Sequence, residues 1–114
     1  MTAEIGGPRG VLIGARGLAL FVNLGGAGTL VLLDLLSRAS ASDDRLVTQC
    51  ASYRDLAGRL GLSKDTVGRA VRTMVRTGVI AAVSDAGAQS PFARRRYEVR
   101  AERWELAIVD ELRR

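Results

Sequence analysis

Arginine is the residue with which this chain could do chemistry. Sixteen of its seventeen basic side chains are arginines, and Lys64 is the exception. Residues 54–100 hold ten of them against four acidic side chains, Asp55, Asp65, Asp85 and Glu98, so this stretch carries +6 and the rest of the chain −1. A guanidinium presents a planar fork of donors that matches phosphate oxygens or the edge of guanine. A local excess of such groups is what a surface facing a polyanion needs. A merely solvated basic face would carry the same charges, so the elements that hold them must decide.

Other chemistries are excluded by composition. The chain has no histidine and one cysteine, Cys50. That removes histidine acid–base catalysis, a Cys/His zinc site and an intrachain disulfide. There is no nucleophile–base pair and no carboxylate cluster, so the reading is no enzyme, no metal and no cofactor. A single unpaired cysteine fits a reducing, cytoplasmic setting, or is merely a small buried hydrophobe. The chain's 114 residues, 47% apolar and 25% charged, suit one folded domain with arms.

The elements that must position the arginines follow from caps and periodicity. Ser52 is an N-cap for a helix from about Tyr53 to Leu60, with Leu56, Ala57 and Leu60 as its apolar stripe. Gly61 supplies a left-handed stop, and Ser63 caps a second helix from Lys64 to Thr77 that Gly78 ends. Val67, Ala70, Val71, Met74 and Val75 share one face of that helix. Two short helices joined by a tight glycine turn, the second longer and basic, make a helix-turn-helix. Val79–Val83 and Arg94–Arg100 can pair as antiparallel strands, with Asp85, Gly87 and Pro91 at the tip. The predicted fold is therefore mainly α with a small antiparallel β-hairpin.

Residues 52–80, SYRDLAGRLGLSKDTVGRAVRTMVRTGVI, resemble the winged helix-turn-helix of bacterial transcription regulators of the GntR and MarR kinds. The shared pattern is a polar cap, x-x-L-A-x-x-L-G-[hydrophobic]-S, then x-x-T-V and a helix running into T-G-[VIL]-I. Gly68 stands where GntR-type helices often carry arginine, which passes a base-reading role to Arg69 or Lys64. The resemblance implies double-stranded DNA as partner, with helix 63–77 in the major groove and a basic wing at 84–96. The face opposite the apolar stripe offers Ser63, Lys64, Asp65, Thr66, Arg69, Arg72 and Thr73. Lys64 and Arg69 suit guanine, and Thr66 a thymine methyl or a phosphate. Asp65 can accept from cytosine or simply favour the helix dipole. Gly68 would let the backbone approach the groove floor. Ser52, Tyr53 and Arg54, at an amide-rich helix start, suit a phosphate. Arg94, Arg95 and Arg96 would meet phosphates or a narrow minor groove. Arg59, Arg72 and Arg76 also fit plain surface solvation. The same module could serve protein contact, or plasmid or phage replication or partition.

The flanks add further expectations. Residues 1–10 read as a flexible arm, and residues 11–28 as an apolar N-terminal segment whose first half fits strand or helix. Thr29–Ala39 reads as a buried helix opening the winged helix-turn-helix, which spans 29–100, and a Ser/Asp loop at 40–44 leads to a β-prone Leu46–Cys50. Residues 101–114 read as a C-terminal helix with Ala101, Trp104, Ile108 and Leu112 on one stripe, which is surplus apolar surface that suits a homodimer or else simply closes the monomer core. Residues 17–33 approach membrane-span length, but Arg16 and Asp34 close them off, Gly25, Gly26 and Gly28 interrupt them, and the first residues lack a signal-peptide pattern, so no membrane role is expected.

Overall fold

The computed structural model describes residues 9–42, 44–83 and 94–109. The chain opens with a strand, β1 (Gly10–Ile13), and a broken helix, α1 (Ala15–Ser37). A hairpin of β2 (Ser40–Ser42) and β3 (Arg45–Val47) leads to α2 (Tyr53–Leu60) and α3 (Lys64–Arg76). Then come β4 (Ile80–Ala82), β5 (Tyr97–Val99), a 3-10 turn (Glu102–Trp104) and β6 (Leu106–Val109). All strand pairs are antiparallel; β2-β3-β5-β4 form one sheet, and β1-β6 a second. Leu46 and Ile80 both pair with Val99, which places β5 between β3 and β4. Three helices against a small sheet bury Leu32, Leu36, Leu56, Val67, Val71, Met74, Val79 and Ile80 completely.

α1 explains the glycine-rich apolar run. Gly25 has φ 78° and ψ −176°, a conformation inside the helix that a side chain disfavours. The break lets the Thr29 hydroxyl fold back and donate to the Phe21 carbonyl at 3.2 Å. The first half of α1 lies on the β1-β6 sheet; at Gly17 a Cβ would sit 2.8 Å from both Ile13 and Leu106 side chains. The second half supplies Val31, Leu32, Leu35 and Leu36 to the core. By length and composition α1 is apolar enough to cross a bilayer; Gly25 interrupts it, and seven of its 23 residues are buried in this fold.

Two flanking expectations are corrected, and a third is reached only at its end. Of the arm at 1–10, residues 1–8 lie outside the described residues; Gly10 opens β1, and Arg9 donates from one Nη to the carbonyls of Leu36, Ser37 and Ala39 at 3.2, 3.1 and 2.7 Å. These carbonyls end α1, where no basic residue of its own last turn is present. The loop at 40–44 contains β2, paired from Ser40 to Val47, a strand that small polar residues do not announce. The C-terminal helix does not form over 101–109. Glu105 turns left-handed (φ 55°, ψ 45°) and ends a single 3-10 turn, and its carbonyl accepts from Gly14 N at 2.8 Å. The chain then runs as β6 with Leu106 opposite Ile13 and Ile108 opposite Val11. Ala101, Trp104 and Ile108 do face the core, but from a turn and a strand; Leu112 lies outside the described residues.

The break in α1 gives a paired expectation. Gly25→Ala should destabilise by about 1–3 kcal/mol through backbone strain alone, since nothing lies within 4 Å of its added Cβ. Gly26→Ala, equally open, should be neutral or stabilising by up to ~1 kcal/mol. Denaturant midpoints of the two variants check this, and equal midpoints would contradict the assigned strain.

Candidate nucleic-acid interface

The α2–turn–α3 unit is built by short hydrogen bonds. Ser52 Oγ accepts from Asp55 N at 3.0 Å and Asp55 Oδ2 accepts from Ser52 N at 3.0 Å, a reciprocal capping box. Gly61 closes α2 at φ 69°, ψ 32°, and Leu62 N donates to Ala57 O at 3.1 Å. Ser63 Oγ accepts from Thr66 N at 3.1 Å and donates to Thr66 Oγ1 at 2.8 Å. α3 then buries Val67, Gly68, Val71 and Met74.

Burial sorts the expected site residues. Arg54, Ser63, Lys64, Asp65, Arg69, Arg72, Arg94 and Arg96 are exposed, while Thr66 and Thr73 are half-buried. Lys64, Asp65, Thr66, Arg69, Arg72 and Thr73 thus lie on α3 away from its fully buried stripe. Ser52 is buried, its hydroxyl oxygen accepts the cap bond and its backbone N–H is given to Asp55. Gly68 is buried as well. A Cβ there would stand 3.1 Å from Arg72 Nη1 and 3.2 and 3.3 Å from Cε2 and Cδ2 of Tyr53, so Gly68 makes room for the Tyr53 ring of α2 and for the Arg72 side chain. The three wing arginines are not equivalent. Residues on β5 and its approach alternate: Arg95, Tyr97 and Val99 turn inward, and Arg94, Arg96 and Arg100 outward. The Arg95 guanidinium carbon lies 5.1 Å from the centre of the Tyr53 ring. The wing tip, 84–93, falls outside the described residues.

Two acidic residues organise this face, and the sequence reading gave them no part in it. Asp55 lies 3.8 Å from Arg94, joining the helix cap to the wing strand. The Ser52 backbone N–H holds its carboxyl below the usual carboxylate range, and the Ser52 hydroxyl, Arg94 and Arg59 act the same way. S-x-x-D at 52–55 was the available signal for the cap. Asp34, its side chain 9% exposed, takes the Arg59 guanidinium at 3.3 and 2.7 Å and Arg38 at 3.4 Å. The bond to Asp34 raises the pKa of Arg59, which ties α2 to α1. Cys50 is exposed, and Arg96 Nε donates to its sulfur at 3.3 Å. Among the described residues no cluster of potential metal ligands occurs.

A groove of about 270 Å³ runs between α3 and the sheet, bordered by Arg72, Val75, Arg76, Ala82, Arg95 and Tyr97. A larger open cleft of about 560 Å³ lies by Arg45, Glu98, Arg100 and Arg103, and α3 does not border it. Residues 49–81 match the family model for winged helix-turn-helix DNA-binding domains. The chain carries a winged helix-turn-helix. The matched span of this winged helix-turn-helix stops in β4, so its return strand β5 is known from the structure. No curated protein and no solved structure matches the chain.

Tyr97, on the inward face of the wing strand, gives a pH expectation. Burial pushes its phenol up to about 12, and the neighbouring Tyr53 acts in the same direction. The unfolded chain therefore ionises first, near 10, as the pH rises. The stability linked to Tyr97 is complete below pH 10 and falls as the pH climbs through 12. Ultraviolet titration of the phenolate should show a late step that Tyr97→Phe removes. A single ionisation at the free-tyrosine value would contradict this.

Proposed function

We propose that this protein is a sequence-specific double-stranded DNA-binding protein, a bacterial transcriptional regulator that acts in the cytoplasm without catalysis. Helix 63–77 enters the major groove, and the basic wing at 84–96 lies along the backbone or minor groove. The observation that carries this is the exposed polar face of α3, where Lys64, Arg69, Arg72 and Arg76 stand opposite a fully buried stripe. Lys64 and Arg69 read base edges; Arg94 and Arg96, the outward pair, meet phosphates.

The reading includes a homodimer on a two-fold symmetric site. What supports it is the apolar surface left outside the winged helix-turn-helix. Leu12 and Leu18 are each 62% exposed and Val22 73%, with Leu18 and Val22 one turn apart on the first half of α1. The second copy covers this face and not a C-terminal helix. Two α3 helices then address successive major-groove segments.

Selection from a pool of random duplexes at two salt concentrations tests the reading. A palindrome should emerge. Lys64→Ala and Arg69→Ala should each cost ~1–3 kcal/mol on that site and little on random DNA. Unchanged affinity and unchanged selection in both variants would end the major-groove assignment. Arg94→Ala and Arg96→Ala should weaken all sequences alike and lower the salt slope by about 0.9 each.

For the dimer, Leu18→Glu with Val22→Glu should give monomers by light scattering and loss of full-site affinity. A wild-type monomer at tens of micromolar would exclude it.

A further inference from the structure

We propose that Tyr53 is a positioning residue that clamps the wing strand to α3, and that Arg95 serves this clamp and not the nucleic acid. The inference rests on the DNA-binding reading above and assigns these two residues a different part in it.

The clamp has three layers. The backbone of α3 is bared at Gly68, and the edge of the Tyr53 ring lies against it, close enough that a Cβ would approach two ring carbons to 3.2 and 3.3 Å. The Arg95 guanidinium covers the ring at 5.1 Å. Tyr97, two residues further along the same inward face, is buried, and it borders the same groove as Tyr53 and Arg95. The backbone fastens the stack from below. Ala51 and Arg95 exchange both their N–H···O bonds at 3.0 Å, and Ala51 immediately precedes the buried cap residue Ser52.

Tyr53 therefore touches α3 on one side and the wing strand on the other, although it belongs to α2. Arg94 and Arg96 flank Arg95 and point outward. Their distance from Lys64 and Arg69 is set by how firmly the strand at 95 is held. A rigid spacing lets both groups of cations meet one duplex without ordering the wing at the moment of binding. A half-buried guanidinium stacked on a ring is engaged inside the protein, which distinguishes Arg95 from its two exposed neighbours.

The test combines backbone hydrogen exchange without DNA and duplex binding with DNA. Tyr53→Ala should raise exchange at the Ala51 and Arg95 amides about tenfold or more, while Val71 and Met74 of α3 exchange as before. It should weaken binding to all duplexes about tenfold. In that background Arg94→Ala and Arg96→Ala should cost nothing further, because the contacts they remove are already lost. Tyr53→Phe keeps the ring in place and should bind like the wild type, with the same salt slope. Additive effects of Tyr53→Ala with the two arginine variants, or unaltered exchange at Arg95, would overturn the proposal. So would a fall of the salt slope by about 0.9 in Tyr53→Phe, which would make the hydroxyl a phosphate donor. If Tyr53→Ala does not fold, Arg95→Met takes its place with the same expectations. If the wild-type protein binds no duplex, the functional reading fails, and the exchange result alone judges the clamp.

Discussion

Everything in this winged helix-turn-helix depends on α3 burying one stripe and only one. Val67, Val71 and Met74 are wholly enclosed, in one core with Leu32 and Leu36 of α1 and Leu56 of α2. Burial of such side chains is worth roughly 1.5–3 kcal/mol each. No other face of α3 has comparable apolar content, so its rotation about its own axis is set by that stripe. The polar side chains opposite are left to solvent or to a partner. The hydroxyl of Ser63 and the turn at Gly78 fix where the helix begins and ends. The Asp34–Arg59 pair fastens α2 to α1, against which α3 rests.

The charge of the basic stretch is less available than a count suggests. Arg59 is occupied by Asp34, Arg95 lies over an aromatic ring, and Arg94 has Asp55 nearby. Those arrangements build the interface and are not spare charge. Lys64, Arg69, Arg72, Arg76 and Arg96 remain on exposed positions around it. An exposed pair such as Arg94–Asp55 holds weakly, so that arginine can exchange its carboxylate for a phosphate at small cost.

The winged core was legible in the sequence because its signals are local. Ser52, Gly61, Ser63 and Gly78 mark helix ends, and caps act within four residues of their targets. The apolar stripe of α3 has the period of a helix throughout. The face of each wing arginine was also written there, since strict alternation through Arg94–Arg100 turns Arg95 inward; treating three adjacent arginines as equals missed it. The flanks were harder for physical reasons. Ala101, Trp104 and Ile108 pack inward, and their spacing fits a helix as well as a turn followed by a strand. β1 and β6 are four residues each, and they pair with segments from opposite ends of the chain. Nothing local encodes such a pairing. Gly68 could not be read from sequence either, because what a missing side chain makes room for is a tertiary matter.

The β1-β6 ladder carries a topological consequence. Gly10 stands opposite Val109, so two segments from the far ends of the described chain are hydrogen-bonded partners. Their pairing closes a loop that contains every other element. Loop-closure entropy grows only logarithmically with length, so this outermost loop costs little more than one half its size. Contacts of such high sequence separation slow folding, because the loop must close before they stabilise anything. The winged core, whose contacts are mostly nearer in sequence, can assemble first and bring Gly14 within reach of Glu105. Gly25 is then the joint between the half of α1 that packs on the β1-β6 ladder and the half that enters the winged core.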